Sequence, residues 1–206
     1  MKRIALFLIL SLLFCTAMNS CDRDYDEAAV MTATEELLEK SILVNEIFFG
    51  VGAPVDQSKL HLSNGNYKPV DLDYLSPIGA YNINGLKEAA KEVYTEELCN
   101  IIFSTWLESL RDSDGNVRYS ARYNEMTVNN EKNMYVYTEA VPLYENDVVY
   151  LYDTMRVKGA DGEYIMVEID VRVVTFDGFS RTQKCEFILL EERDGFRLDT
   201  LSFVKY

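Results

Sequence analysis

Histidine occurs once in this chain of 206 residues, at His61, and tryptophan once, at Trp106. A Ser–His or Cys–His nucleophilic pair would have to use His61, which sits between Leu60 and Leu62 in an irregular stretch with no G-x-S-x-G elbow anywhere. One histidine and no clustered cysteines also argue against a transition-metal site. No glycine-rich phosphate loop occurs, which argues against nucleotide chemistry. Asp112-Ser-Asp-Gly115 resembles a calcium loop only superficially, because its glycine comes two places too early and no bidentate Glu closes it. It reads as a turn, and Asp71 with Asp73 is an equally weak pair. No catalytic residue, metal or cofactor is expected on these grounds.

Basic residues are few: 20 Lys and Arg stand against 34 Asp and Glu, a formal net charge of −14. Nucleic acid and anionic membrane surfaces both need clustered cations, so neither is an expected partner. After Cys21 only two cysteines remain, Cys99 on a helical pattern and Cys185 on a strand pattern. Their separation gives no zinc spacing, and either one bridge or two buried thiols would fit.

Long apolar runs are also scarce, and the one present is at the start. Lys2 and Arg3 precede Ile4–Phe14, an apolar stretch broken only by Ser11, with small and polar residues following. Charge, apolar core and small-residue exit make a secretory signal. The run is too short for a hydrocarbon core that needs about 20 residues. Met18-Asn19-Ser20-Cys21 resembles a bacterial lipobox, with Ser20 fitting, Met18 an apolar substitute and Asn19 a departure. Cys15 competes poorly because bulky Phe14 precedes it. Cys21 is therefore the expected lipidation site, ordinary cleavage leaving a free thiol being the alternative. Two acyl chains on such a cysteine would anchor stably.

The expected organisation is a signal peptide over 1–20, a lipidated Cys21 and short acidic tether over 21–30, and one domain over 31–206. Removing the signal takes away Lys2 and Arg3 and no acid, so the net charge becomes −16. The expected location is the extracytoplasmic face of a cell membrane.

Within the domain, Thr32-Ala-Thr-Glu35 has capping-box spacing and opens a helical pattern of six or so turns that Gly50 and Gly52 stop. Residues 51–82 are punctuated by Pro and Gly, with one extended piece near Tyr67–Val70. Asn84–Tyr94 returns to helix, and Thr95-Glu-Glu caps another whose buried face carries Leu98, Ile101, Ile102, Thr105, Trp106 and Leu110. From Val117 the period changes to two: Val117–Tyr123, Met134–Tyr144, Val148–Val157, Tyr164–Phe176, Thr182–Glu192 and Phe196–Lys205 read as strands. In Tyr164–Phe176, Ile165, Val167, Ile169, Val171 and Val173 share one face and Glu168, Asp170 and Arg172 the other. Helices followed by hairpins specify α+β, with the N-terminal helices packed on one face of a curved antiparallel sheet.

Tyrosine is abundant. Arg118 and Arg122 alternate with Tyr119 and Tyr123 on one predicted strand, and Tyr150 and Tyr152 share a predicted face with Arg156. Trp106, Arg118, Arg122, Tyr123, Tyr150 and Tyr152 are the candidate ligand-binding set for a pocket between helix and sheet. The competing reading makes them cross-strand aromatic pairs that stabilise the sheet.

Tyr67-Lys-Pro-Val70, Leu86-Lys-Glu-Ala-Ala90, Val93-Tyr-Thr-Glu-Glu-Leu98 and Asp194-Gly-Phe-Arg-Leu-Asp-Thr200 resemble segments of small clostridial-type extracytoplasmic lipoproteins. The order of elements resembles the NTF2-like and cystatin-like folds, and the layout is similar to that of bacterial inhibitors of cell-wall DL-endopeptidases. The resemblance implies a lipid-anchored, non-enzymatic binding module for a protein or cell-wall-derived ligand. The alternatives are an inhibitor or regulator of a peptidoglycan hydrolase, and a small NTF2-like enzyme using a buried carboxylate.

Overall fold

Asp26 turns the chain into its first helix, α1 (Glu27–Phe48), by accepting from the backbone N–H groups of Ala28 and Ala29. The computed structural model describes residues 25–144, 147–175 and 177–202. The predicted signal, Cys21 and the far ends of two predicted strands (Phe176 and Lys205) lie outside the described residues.

The helix opens earlier than the Thr32–Glu35 spacing suggested. Thr32 and Thr34 spend their hydroxyls on the carbonyls of Ala28 and Val30, and Val30 is already buried. The 21–30 tether is thereby corrected, since its last residues are helix. Val30, Thr34, Leu37, Leu38, Ser41, Val44, Asn45 and Phe48 recur at helical spacing and face the core. Two 3-10 segments, Gln57–Leu62 and Ser76–Ile78, strand β1 (Tyr67–Pro69) and one-turn helix α2 (Leu72–Leu75) fill the Pro- and Gly-punctuated connection. Then come α3 (Ile83–Lys91), capped by Asn82, and α4 (Glu96–Trp106), capped by Thr95 as its sequence indicated.

The strands are β2 (Leu110–Arg111), β3 (Val117–Tyr119), β4 (Tyr123–Val128), β5 (Glu131–Tyr137), β6 (Asp147–Asp161), β7 (Tyr164–Val174), β8 (Ser180–Glu192) and β9 (Gly195–Leu198). The fold is α+β with antiparallel pairing, but the described strands form three sheets where one was expected: β6-β7-β8-β9, β1-β5-β4 and β2-β3. The predicted Val117–Tyr123 strand is broken, its first part pairing with β2 around the Asp112–Gly115 turn and its end starting β4. Asn129 and Asn130, both at positive φ (52° and 69°), make the tight β4–β5 turn. Met134–Tyr144 stops pairing at Tyr137.

On β7, Ile165, Val167, Ile169, Val171 and Val173 are fully buried, as their alternation required. The opposite face carries Glu168, whose carboxylate accepts from Arg156 Nε (2.9 Å), Arg156 Nη2, Lys184 Nζ (3.1 Å) and Lys158 Nζ (3.5 Å). Lys184 first and Arg156 second hold its carboxyl down at about 2, from an ordinary 4.5. A folded pKa below the unfolded one stabilises the fold above the unfolded value, and that contribution disappears as pH falls through the folded value. Glu168→Gln is therefore expected to destabilise the protein at pH 6, with the gap from the unsubstituted chain narrowing between pH 4.5 and 2. Urea midpoints at stepped pH measure this, and a gap constant over that range would contradict it.

A cleft at the end of the first helix

Most of the space between α1 and the four-stranded sheet, where a ligand pocket was expected, is filled. Leu38, Ile47 and Phe48 of α1 belong to one core cluster with Val167, Ile169 and Leu189 of the sheet, all with almost no exposure. Tyr150 belongs to this interior: its hydroxyl donates to the backbone carbonyl of Ser202. Tyr94 donates to Asn45 Oδ1, while Asn45 Nδ2 donates to Ser202 Oγ (2.8 Å), itself 2.8 Å from the Tyr94 hydroxyl. Burial pushes the Tyr94 phenol well above its ordinary value, so it remains a neutral donor. Tyr152 packs its ring 6.1 Å from that of Tyr150. Arg156 does not share their face. A register shift between Leu151 and Arg156 inverts the alternation, burying Met155 and sending Arg156 outward to Glu168. Tyr150 thus supports the core, and the shared face with Arg156 that the sequence suggested is corrected.

Arg122 and Tyr123 are also committed to the fold. The last turn of a helix leaves carbonyls without intrahelical partners. Arg122 Nη1 donates to the Phe48 carbonyl (2.9 Å) and Nη2 to that of Gly50 (2.6 Å), placing a cation at the negative end of the helix dipole. The Tyr123 hydroxyl donates to the Ile47 carbonyl (3.0 Å) and accepts from Ala53 N–H (2.9 Å); burial pushes this phenol up to about 12. Gly52 makes the close approach possible. Its φ is +94°, and a Cβ there would lie 2.6 Å from Arg122 Nη2. The guanidinium carbon stands 5.4 Å from the Trp106 ring centre, and Trp106 packs edge-on against Phe49 at 6.1 Å. Arg122 Nε has no hydrogen-bond partner. Arg118, by contrast, lies on the β2–β3 hairpin with its side chain exposed and its Nε 3.2 Å from Asp112 Oδ2. The two arginines therefore do not form one binding edge.

The structure does bring Trp106 and Arg122 to a common opening. A cleft of about 590 Å³ runs between the end of α4, the β2–β3 hairpin and the segment after β5. Trp106, Leu110, Tyr119, Tyr137 and Val141 supply most of its walls. Leu110, Tyr119 and Val141 are 57%, 71% and 77% exposed, unusual for side chains this apolar. Ser104 and Thr105 turn their hydroxyls back to the Ile101 carbonyl, and Glu139 is bonded to the Tyr137 hydroxyl. The polar groups of the walls are thus largely satisfied internally, which leaves an aromatic and aliphatic surface. Leu110 and Tyr119 are brought together by pairing, Leu110 opposite Tyr119, whereas Val141 arrives from a segment the sequence had assigned to a strand.

His61 is exposed in the Gln57–Leu62 segment. Among the described residues no group of three or more His, Cys, Asp or Glu side chains could hold a metal ion, and Cys99 and Cys185 are both free thiols. Burial pushes the Cys99 thiol up to about 11, the opposite of an activated nucleophile. Glu168 is the carboxylate that is buried among these residues, and its pKa is lowered rather than raised as a proton donor requires. No helix among the described residues is long and apolar enough to cross a membrane. No protein-family model, curated protein or solved structure matches the chain.

Proposed function

We propose that this chain is a lipid-anchored binding module on the outer face of a bacterial membrane, and that it takes a protein or cell-wall-derived ligand in the Trp106 cleft. The observation that carries the binding proposal is the cleft itself: an open cavity whose walls are mostly carbon and whose rim presents three large exposed apolar side chains. Contiguous apolar surface of this kind marks interaction sites on soluble domains. The anchor rests on Lys2, Arg3, the Ile4–Phe14 run and the lipobox-like Met18–Cys21. Within this reading the partner is either a wall fragment bearing a peptide stem or a wall hydrolase whose activity the complex would regulate.

The chain carries one tryptophan, and it lines the cleft, so its emission reports occupancy. Titrating the mature chain with purified muropeptides, and separately with a peptidoglycan DL-endopeptidase, is expected to give a saturable emission change in one of the two series. Val141→Asp places a charge on the rim without touching the core, and should weaken that binding by roughly tenfold or more while stability stays within about 0.5 kcal/mol. Flat titrations in both series, or binding indifferent to Val141→Asp, would reject the cleft. Loss of endopeptidase activity on binding would assign the regulatory role. Mass spectrometry of the mature N-terminus tests the anchor: an unmodified Cys21, or another first residue, would remove it.

A further inference from the structure

A second cavity, of about 530 Å³, lies at the open edge between α1 and β6, away from the Trp106 cleft and sharing none of its lining residues. Its composition is one-sided. Two carboxylates, Glu46 and Asp147, and three tyrosines, Tyr74, Tyr144 and Tyr150, line it, and no Lys or Arg does. Three features of this site bear on the ligand it would take.

The first is charge. Glu46 is half-buried on the last turns of α1, where Oε1 accepts from Val51 N–H (3.0 Å). No ion pair among the described residues reaches Glu46 or Asp147. The second is the aromatic wall. Burial first, and the nearby Glu46 carboxylate second, raise the phenols of both Tyr74 and Tyr144 above their ordinary value. These rings therefore stay neutral beside a carboxylate. The third is the state of the remaining polar groups. Tyr150 donates to the Ser202 carbonyl, and the Asn45 amide is used by Tyr94 and Ser202, so neither offers a free group to the cavity.

Negative charge lined by tyrosine rings, with few free hydrogen-bonding groups, suits a cation that carries its own apolar skin. A bare metal ion needs several oxygen ligands, and these two carboxylates have no third acid, His or Cys beside them to form such a group among the described residues. An anion would meet two carboxylates with no cation to offset them. The acidity of the whole chain also draws cations toward its surface.

We propose that this cavity binds the alkylammonium group of an organic cation, with Glu46 as the counter-charge and Tyr74 and Tyr144 as the aromatic walls. The group could be a quaternary ammonium of choline type or the primary ammonium of a lysine-like side chain, since both share the chemistry that the site recognises.

Isothermal titration of the full mature chain with choline chloride, with n-butylammonium chloride and with 3,3-dimethylbutan-1-ol separates the possibilities. The alcohol has the shape of choline without its charge. Binding of at least one cation is expected, with the alcohol weaker by roughly tenfold or more. Whichever cation binds more tightly identifies the quaternary or the primary source. Glu46→Gln keeps an oxygen able to accept from Val51 N–H but removes the charge, and should weaken the cation by roughly tenfold. Tyr144→Phe, which keeps the ring, should bind nearly as well as the unsubstituted chain, whereas Tyr144→Leu should not. Thermal unfolding of each variant checks that it folds; should Glu46→Gln fail that check, the Phe and Leu pair at Tyr144 decides. Equal binding of the alcohol and the cations, no binding of either cation, or a folded Glu46→Gln chain with unchanged affinity would overturn the proposal.

Discussion

Arg122→Ala is expected to be among the most destabilising single substitutions in this protein, costing about 3–5 kcal/mol. The side chain is only 2% exposed, and its loss leaves the Phe48 and Gly50 carbonyls without their donors in a region water does not reach. It also removes the cation over the Trp106 ring and opens a void beside Gly52. In a domain of this size each kcal/mol lowers the melting temperature by about 2–4 °C, so a drop of roughly 10 °C or more should appear in thermal unfolding. Arg122→Lys keeps the charge but cannot reach both carbonyls with one planar fork, and should fall between the two. An Arg122→Ala chain within about 1 kcal/mol of the unsubstituted protein would show that the clamp does not hold the helix end.

The second large effect is expected at Asn45. Its amide donates to Ser202 and accepts from Tyr94, tying α1 to the residue before α4's cap and to the C-terminal segment. Asn45→Ala deletes both bonds and leaves a small cavity. The Tyr94 hydroxyl can still turn to Ser202 Oγ, which recovers part of the loss. The net cost should therefore be about 2–3 kcal/mol, less than for Arg122, because one orphaned group finds another partner. Chemical unfolding measures it. The same measurement on Asn45→Ala combined with Tyr94→Phe should give less than the sum of the two single effects, since both remove the same hydrogen bond. Strict additivity would mean that the three side chains do not act as a network.

Strands whose neighbours in sequence are also their neighbours in space were readable in advance. The five apolar residues of β7 alternate strictly, and β6, β7, β8 and β9 pair in chain order across short turns, so local pattern and final position agree. Where the two part, the reading failed. Arg156 was placed with Tyr150 and Tyr152 by counting in twos, and an irregularity between Leu151 and Arg156 cannot be counted from one strand alone. β4 was passed over because Asn124-Glu-Met-Thr-Val128 lacks apolar alternation, although Asn129-Asn130 is a fair turn signal. The start of α1 was read at Thr32, but Asp26 caps it, and the burial of Val30 gives the earlier turn its packing.

The candidate site was legible in part. Trp106 and Arg122 do reach one cleft, but Arg122 was read as a ligand-binding arginine and its hydrogen bonds hold the end of α1 instead. Its partners are backbone carbonyls 72 and 74 residues away, and a free helix end carries no residue type to mark it. The hydroxyl of Tyr150 is spent on Ser202, a partner that no local pattern announces because it is chosen by the fold of the C-terminal segment. Of the residues lining the proposed alkylammonium site only Tyr150 was among the candidates: Glu46, Tyr74 and the Tyr144–Asp147 stretch come from three separate parts of the chain.

One helix touches both of the larger sheets. The middle of α1 packs on β6 and β9, while its last carbonyls are held by Arg122 and Tyr123 at the start of β4. Neither sheet can be released without freeing the helix that covers the other. A ligand that steadies the cleft at the helix end is therefore expected to steady the four-stranded sheet that it never touches.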